Sequence, residues 1–129
     1  MAYTAQEEAN RKLVLDMYHN VLIAMDSSAV DRYLAPDYIQ HSSLAEPGLP
    51  ALKAFLDFVR KESPDARQTI HRVLVDGDMV AVHVHVVRFA GDPGLAVVDM
   101  FRCADGMIAE HWDVLQDVPT QPVNPLSMF

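Results

Sequence analysis

The chain has 129 residues, half of them hydrophobic, and a formal net charge of −8 at pH 7. This length suits one domain with a single core, and the negative charge, without any local run of Lys or Arg, disfavours binding to nucleic acid or to anionic membranes. The single Cys103 excludes an internal disulfide and a multi-cysteine zinc site. With a polar N-terminus and no long apolar run, these features predict a soluble, cytoplasmic protein.

The N-terminal segment has helical periodicity. Thr4 followed by Glu7 is a capping-box pattern, in which each residue's side chain bonds to the other's backbone. Beyond it, apolar residues such as Val14 and Tyr18 recur on one face at helical spacing. The sequence therefore predicts a first helix over about residues 5–25.

Two further helices are predicted before the first strand. The segment "DSSAVDRYL" predicts a short helix over about residues 28–34, capped by Ser27 or Ser28. A break and a loop follow, and Pro50 then suits the first turn of a third helix over about residues 50–61.

From Thr69 onward the hydrophobic pattern changes to that of β-strands. Four apolar runs are separated by "DGD", "GDPG" and "ADG", which are turn sequences typical of hairpins. They predict an antiparallel meander over about residues 69–116, followed by a tail over 117–129 that folds back or docks on a partner. Helices followed by a meander indicate an α+β fold in which three N-terminal helices pack on a curved antiparallel sheet.

The strands carry an unusual number of ionisable residues. His83 and His85 share one face of their strand, because alternate residues point the same way. Closure through "AGDPG" would put His85 opposite Asp99, and a three-residue turn at "ADG" would put Asp99 opposite His111. A two-residue turn would instead put Asp99 opposite Trp112. With the three-residue turn, the sequence predicts a cross-strand row of His85, Asp99 and His111. The contact of Asp99 with His85 is better supported than its contact with His111, which depends on the turn length.

Such a row has two main interpretations. A carboxylate between imidazoles in an apolar cavity is suited to act as a general base or acid. The alternative is a satisfied polar network that only holds the strands in register. The two imidazoles of "HVH" could also suggest a metal site, but no set of residues has a recognised metal-ligand spacing, so no metal is predicted. Glu110 and Arg102 are expected on the other face as a cross-strand ion pair.

Quoted segments along nearly the whole chain resemble one known family. "YIQH", "DGDMVAVHVHV", "GLAVVDMFRCADGMIAEHWDVLQDVP" and "NPLSMF" are similar to SnoaL-like polyketide cyclases, within the nuclear-transport-factor-2-like superfamily. The resemblance implies a cone-shaped roll with a strongly curved sheet and a central pocket, and commonly a homodimer through the outer sheet face. It also implies catalysis by a sheet aspartate aided by a histidine, without a cofactor, and these match Asp99 and His85.

These observations predict a cofactor-independent acid–base enzyme acting on a small or medium carbonyl compound, by aldol-type cyclisation or proton abstraction α to the carbonyl. One alternative is a dehydratase or hydrolase using the same Asp–His pair, and another is a non-catalytic homodimer that binds a small apolar ligand. Asp99 is the expected base, with His85 and His111 as its catalytic partners. The expected substrate-binding residues are His41, Tyr38, His83, Phe101, Phe55 and Trp112.

Overall fold

The computed structural model describes residues 2–129. Helix α1 spans Ala5–Met17 and continues as a π-helical segment over Tyr18–Ile23. Both hydrogen bonds of the predicted capping box between Thr4 and Glu7 are present. Within residues 2–129, no helix is both long and apolar enough to cross a membrane.

A short 3₁₀ helix, Ser27–Arg32, follows. Its N-cap is Asp26, whose carboxylate accepts from the Ser28 backbone N–H, so the predicted cap at Ser27 or Ser28 is wrong. An aspartate just before the first turn satisfies a free N–H as well as a serine does, and it carries the charge that a helix N-terminus favours. Helix α2 spans Leu49–Glu62 and has Pro50 in its first turn, as predicted.

The predicted break after the 3₁₀ helix is instead a strand, whereas the predicted loop before Pro50 is present. Strand β1 spans Leu34–Gln40 and pairs in parallel with the last strand of the chain. Its register shifts between Leu34 and Ile39, the stretch that contains Pro36, which lacks a backbone N–H for a regular ladder. The strand depends on a partner about seventy residues away, which local sequence patterns do not reveal.

The remaining strands form the predicted meander: β2 Arg67–Asp76, β3 Met79–Val87, β4 Leu95–Ala104 and β5 Met107–Asp117. The five-stranded sheet has the order β1-β5-β4-β3-β2, antiparallel except for the β1–β5 pair. The predicted α+β class, with helices packed on a curved sheet in a cone-shaped roll, is confirmed. The helices cover the inner face of the sheet, and the core there includes Val14, Met17, Tyr18, Val80, Val82, Val84, Phe101 and Ile108.

The register of β3 and β4 contradicts the predicted contact between His85 and Asp99. Asp99 pairs with Val82, which is fully buried on the inner face, whereas His85 pairs with Ala96. His83 and His85 share a face as predicted, but alternation puts them on the outer face, away from Asp99. The loop between these strands is longer than the expected closure, so the register differs by three residues.

The register of β4 and β5 also differs from both predicted versions. Asp105 and Gly106 have φ of 53° and 74°, as in a two-residue turn, and Cys103 pairs with Ile108. The register then shifts by one residue, so that Arg102 pairs with Glu110 and Asp99 pairs with Asp113. A β-bulge of this kind reverses the alternation beyond it. As a result His111 and Asp113 both lie on the inner face, near Asp99.

A candidate acid–base site on the inner face of the sheet

Asp99 and His111 form a buried pair. The Asp99 Oδ1 lies 2.8 Å from His111 Nε2, and the Tyr18 hydroxyl donates to Asp99 Oδ2 over 2.7 Å. Asp99 and His111 are each 7% exposed. His111 pairs with Phe101 across the strands and reaches Asp99 diagonally, which explains the contact although the two residues are not directly opposite. The predicted proximity of Asp99 and His111 is therefore present, through a different register.

Further hydrogen bonds fix the His111 ring at Nδ1, the nitrogen that does not face Asp99. Its Nδ1 lies 2.6 Å from Gln40 Oε1, which also accepts from the Ser42 backbone N–H over 3.0 Å. The Gln40 Nε2 donates to the Tyr38 hydroxyl over 3.0 Å. Gln40 and His111 are register partners in the parallel β1–β5 pair, so the missed strand brings these side chains together. The result is one continuous chain of polar contacts: Tyr38, Gln40, His111, Asp99 and Tyr18.

Asp113 is a further member of the site that the sequence interpretation missed. It stands directly opposite Asp99, is half-buried, and its carboxylate lies within 4.8 Å of ligand-type atoms of Asp99 and His111. The signal was available in "EHWDV", because residues two apart on a strand share a face. Once His111 is assigned to the inner face, Asp113, two residues further along the strand, must lie on that face too.

Burial and the carboxylates keep both tyrosines protonated. Burial, followed by the Asp99 carboxylate, raises the pKa of the Tyr18 phenol well above its usual value. Burial, with smaller contributions from Asp99 and Asp113, likewise raises the pKa of Tyr38. At neutral pH both phenols are therefore hydrogen-bond donors. The Tyr18 hydroxyl already donates its proton to Asp99. The Tyr38 hydroxyl accepts from Gln40, so it can still donate its own proton to another group.

Asp99, His111 and Asp113 also make up a set of three groups that could hold a cation. Both oxygens of Asp99 and both ring nitrogens of His111 already take part in hydrogen bonds within the protein. A metal bound by Asp99 Oδ1 and His111 Nε2 would have to replace the 2.8 Å contact between them. The donor set therefore suits proton transfer better than metal coordination.

Two predicted substrate-binding residues lie on the outer face instead. The His41 ring stacks on Trp112 with a centroid distance of 5.0 Å and an interplanar angle of 1°, and its Nε2 lies 2.6 Å from Glu110 Oε2. Glu110 also accepts from Arg102 over 2.9 Å, which is the predicted cross-strand ion pair. The prediction that His41 and Trp112 face the Asp99 site is wrong, because alternation beyond the bulge sends Glu110 and Trp112 outward.

His83 and His85 likewise contact the C-terminal tail and not the site. The Phe129 ring stacks on His71, His83 and His85 with centroid distances of 4.8, 5.4 and 4.5 Å. The His85 Nε2–H donates to the Pro93 carbonyl over 2.8 Å. The tail does fold back, but onto the outer face. The predicted site roles of His83 and His85 are therefore incompatible with the register.

Phe101 and Phe55, the two phenylalanines predicted to bind substrate, differ in burial. Phe101 is buried and stacks on His111 at 4.7 Å, so it shields the Asp99–His111 pair. Phe55 on α2 is 52% exposed and does not enclose the site, because the buried face of that helix is occupied by Leu49 and Leu56.

Three cavities of about 400, 640 and 500 Å³ lie elsewhere on the chain, and none of the three includes Asp99 or His111.

The sequence profile of the "SnoaL-like domain" family matches residues 14–111, most of the chain and nearly all of the site described above. The chain belongs to this family. Tyr18, Tyr38, Gln40, Asp99 and His111 lie within the matched range, and Asp113 lies just beyond it. Curated protein sequences give no significant match.

Solved structures show the same fold at low sequence identity. A protein assigned as a SnoaL-like polyketide cyclase from Jannaschia sp. CCS1 is 20% identical with a TM-score of 0.73, covering 89% of this chain and 90% of that one. One assigned as a ketosteroid isomerase from Kribbella flavida DSM 17836 is 24% identical with a TM-score of 0.69, covering 92% and 85%. One assigned as a polyketide cyclase from Bacillus cereus ATCC 10987 is 18% identical with a TM-score of 0.74, covering 88% and 78%.

Proposed function

We propose that this protein is a cofactor-independent acid–base enzyme that moves a proton α to the carbonyl of a small or medium compound, as an isomerase or an aldol-type cyclase. The observation that carries the proposal is the buried Asp99–His111 pair, with Asp113 directly opposite Asp99. Membership of the SnoaL-like family supports it, because the similar folds include proteins assigned to both reaction types.

The chemistry needs two groups: one that removes a proton from carbon and one that stabilises or protonates the developing enolate oxygen. The sequence assigned the base role to Asp99 alone. We now assign the base role to Asp113, the more exposed carboxylate, and the Asp99–His111 pair carries a proton beside it. The Tyr38 hydroxyl is a candidate donor to the substrate oxygen. This division uses only side chains that meet on the inner face.

The first test is α-proton exchange in D₂O, followed by NMR on a panel of ketones and β-ketoesters, since exchange reports proton abstraction even without net turnover. We expect wild-type exchange with at least one compound, and losses of about 100-fold or more in Asp99→Asn and His111→Gln. His83→Gln on the outer face is the matched control and should retain the wild-type rate. Unchanged exchange in Asp99→Asn would rule out the assignment.

The same variants separate the two alternatives. A dehydratase or hydrolase would release water or incorporate ¹⁸O from solvent with β-hydroxycarbonyl or epoxide substrates, and would also lose activity in Asp99→Asn. A binding protein would exchange no proton, and Asp99→Asn would leave its ligand affinity intact. The closed set of hydrogen bonds around Asp99 is the feature that favours the binding alternative.

We also propose that the protein is a cytoplasmic homodimer formed through the outer sheet face. Val98 and Val114 are register partners there and are 37% and 61% exposed, so together they present an apolar ridge. Val114→Glu should shift the mass measured by light scattering from dimer to monomer. Val123→Glu, in the exposed tail, is the control. A monomeric wild type at high protein concentration would contradict the dimer.

A further inference from the structure

We infer that Gln40 is a positioning residue: held by the Ser42 backbone N–H, its side chain fixes His111 with a proton on Nδ1, so that the Asp99–His111 contact carries one transferable proton. The catalytic consequence rests on the proposed function. The protonation pattern itself does not, and it is measurable without a substrate.

The orientation of the Gln40 amide follows from its neighbours. A backbone N–H only donates, so the amide atom 3.0 Å from the Ser42 nitrogen must be the oxygen. The Gln40 NH₂ group then faces the Tyr38 hydroxyl, which accepts from it. The flipped amide would place the Gln40 NH₂ group against the Ser42 N–H, so that two donors would face each other at a buried residue.

The tautomer of His111 follows from the amide. The oxygen of Gln40 only accepts, so the ring nitrogen 2.6 Å away must donate, and this nitrogen is Nδ1. The ring itself cannot turn over without loss of both contacts, because its Nε2 lies 2.8 Å from Asp99 Oδ1. The Ser42 N–H thus determines, through the Gln40 side chain, that Nδ1 of His111 carries a proton.

The remaining contact must hold a proton. A neutral ring with its hydrogen on Nδ1 presents a lone pair at Nε2, and an ionised Asp99 presents another at Oδ1. Two acceptors at 2.8 Å repel each other, so one proton lies between them, either as imidazolium with carboxylate or as neutral imidazole with carboxylic acid. In both forms the pair carries a single proton that it can give up.

This arrangement explains the presence of Gln40 at this position. Without an acceptor behind Nδ1, the neutral ring would place its proton on Nε2 and donate to an ionised Asp99, and the pair would then have no proton to transfer. The parallel pairing of Gln40 with His111, reinforced by the His41 N–H bond to the His111 carbonyl at 2.9 Å, holds the acceptor in place. Gln40 therefore acts through His111 and needs no contact with substrate.

The decisive measurement is ¹⁵N NMR of the ligand-free protein labelled at histidine, with the His111 signals identified by their loss in His111→Gln. We expect a proton bound directly to Nδ1 in the wild type. Gln40→Met, which keeps the side-chain length but removes the acceptor, should move it to Nε2, whereas Gln40→Glu should keep it on Nδ1. A wild-type His111 protonated only on Nε2 would overturn the inference, even if neither Gln40 variant folds.

Backbone and kinetic tests separate positioning from mere packing. Ser42→Ala keeps the backbone N–H and should leave the His111 spectrum unchanged, whereas Ser42→Pro removes that N–H and should populate both tautomers. With any compound found to exchange protons, Gln40→Met should lower kcat about 10-fold or more with little effect on KM, and Gln40→Glu should restore part of it. A moved tautomer with unchanged exchange would refute the catalytic consequence of this positioning, whereas a wild type with the proton on Nδ1 that exchanges no compound would refute the proposed function and leave the positioning role intact.

Discussion

The two faces of the sheet use the same residue types in opposite ways. On the inner face, His111 and Asp99 are almost completely buried and have hydrogen-bond partners on all their polar atoms. On the outer face, His41 and Glu110 also form a His–carboxylate contact, but His41 retains 41% side-chain exposure and stacks on a tryptophan. Water can replace the outer contact at little cost, whereas nothing in the core can replace the inner one.

The difference teaches that burial, and not pairing by itself, gives a His–carboxylate contact its energetic and chemical weight. A charged group that is removed from water needs a hydrogen-bond partner for each of its polar atoms. Each member of the inner pair therefore becomes costly to bury when the other is removed. The outer pair is screened by solvent and salt. Variants on the two faces should therefore differ in unfolding free energy by much more than their similar geometry suggests.

The largest expected effect is that of Asp99→Ala. It leaves the His111 ring and the Tyr18 hydroxyl buried without their common acceptor, and loss of one partner from a buried pair costs about 3–5 kcal/mol. Urea unfolding at pH 7, followed by circular dichroism, measures the change. Asp37→Ala, at an exposed position of β1, is the control and should change stability by less than about 0.5 kcal/mol. Equal losses in the two variants would contradict the importance of burial.

Tyr18→Phe should have the next largest effect. The variant keeps the ring, which packs edge-on against Phe101, and removes only the donor to Asp99. A hydrogen bond to a charged group contributes about 1.5–3 kcal/mol. Tyr33→Phe is the matched control, because its hydroxyl accepts from Asn20 at the surface. We expect a clear drop in the urea midpoint for Tyr18→Phe only, and a similar drop for Tyr33→Phe would show that the buried acceptor has no special role.

Sequence patterns predicted the fold well because its signals are local. The capping box at Thr4, Pro50 in the first turn of α2 and the turn sequences of the meander each act within a few residues. Strand β1 gave no such signal, since its partner lies far along the chain and its pairing is irregular between Leu34 and Ile39. The acceptor behind His111 could not be predicted without that strand.

The site was predicted only in part, for a related reason. Strand alternation grouped His83 with His85 correctly, but the face they occupy depends on the register with β4, which the turn sequences did not fix. The bulge before Glu110 then moved His111 and Asp113 to the inner face. One extra residue in a strand reverses every side chain beyond it, and binary patterning does not encode such an insertion.

Phe129→Ala tests whether the tail contact on the outer face stabilises the fold. The ring stacks on three imidazoles while remaining partly exposed, so we expect a loss of about 1 kcal/mol, in line with single aromatic pairs. Proton exchange at the inner site should be unchanged. Val123→Ala, at a fully exposed tail position, is the control for thermal unfolding. Loss of exchange activity in Phe129→Ala would mean that the two faces are coupled.

Glu110→Gln should have the smallest effect and a distinctive dependence on pH. The hydrogen bond to His41, followed by that to Arg102, lowers the pKa of the Glu110 carboxyl below its usual 4.5. A lowered pKa in the folded state means that the contribution to stability is present above about pH 4.5 and disappears as the pH falls through the folded value. Urea midpoints of wild type and variant should therefore differ slightly at pH 7, converge in acid, and converge at high salt because solvent-exposed partners are screened. A difference that persists in acid would mean that Glu110 stabilises the fold through hydrogen bonds that its protonated form also makes, and not through its charge.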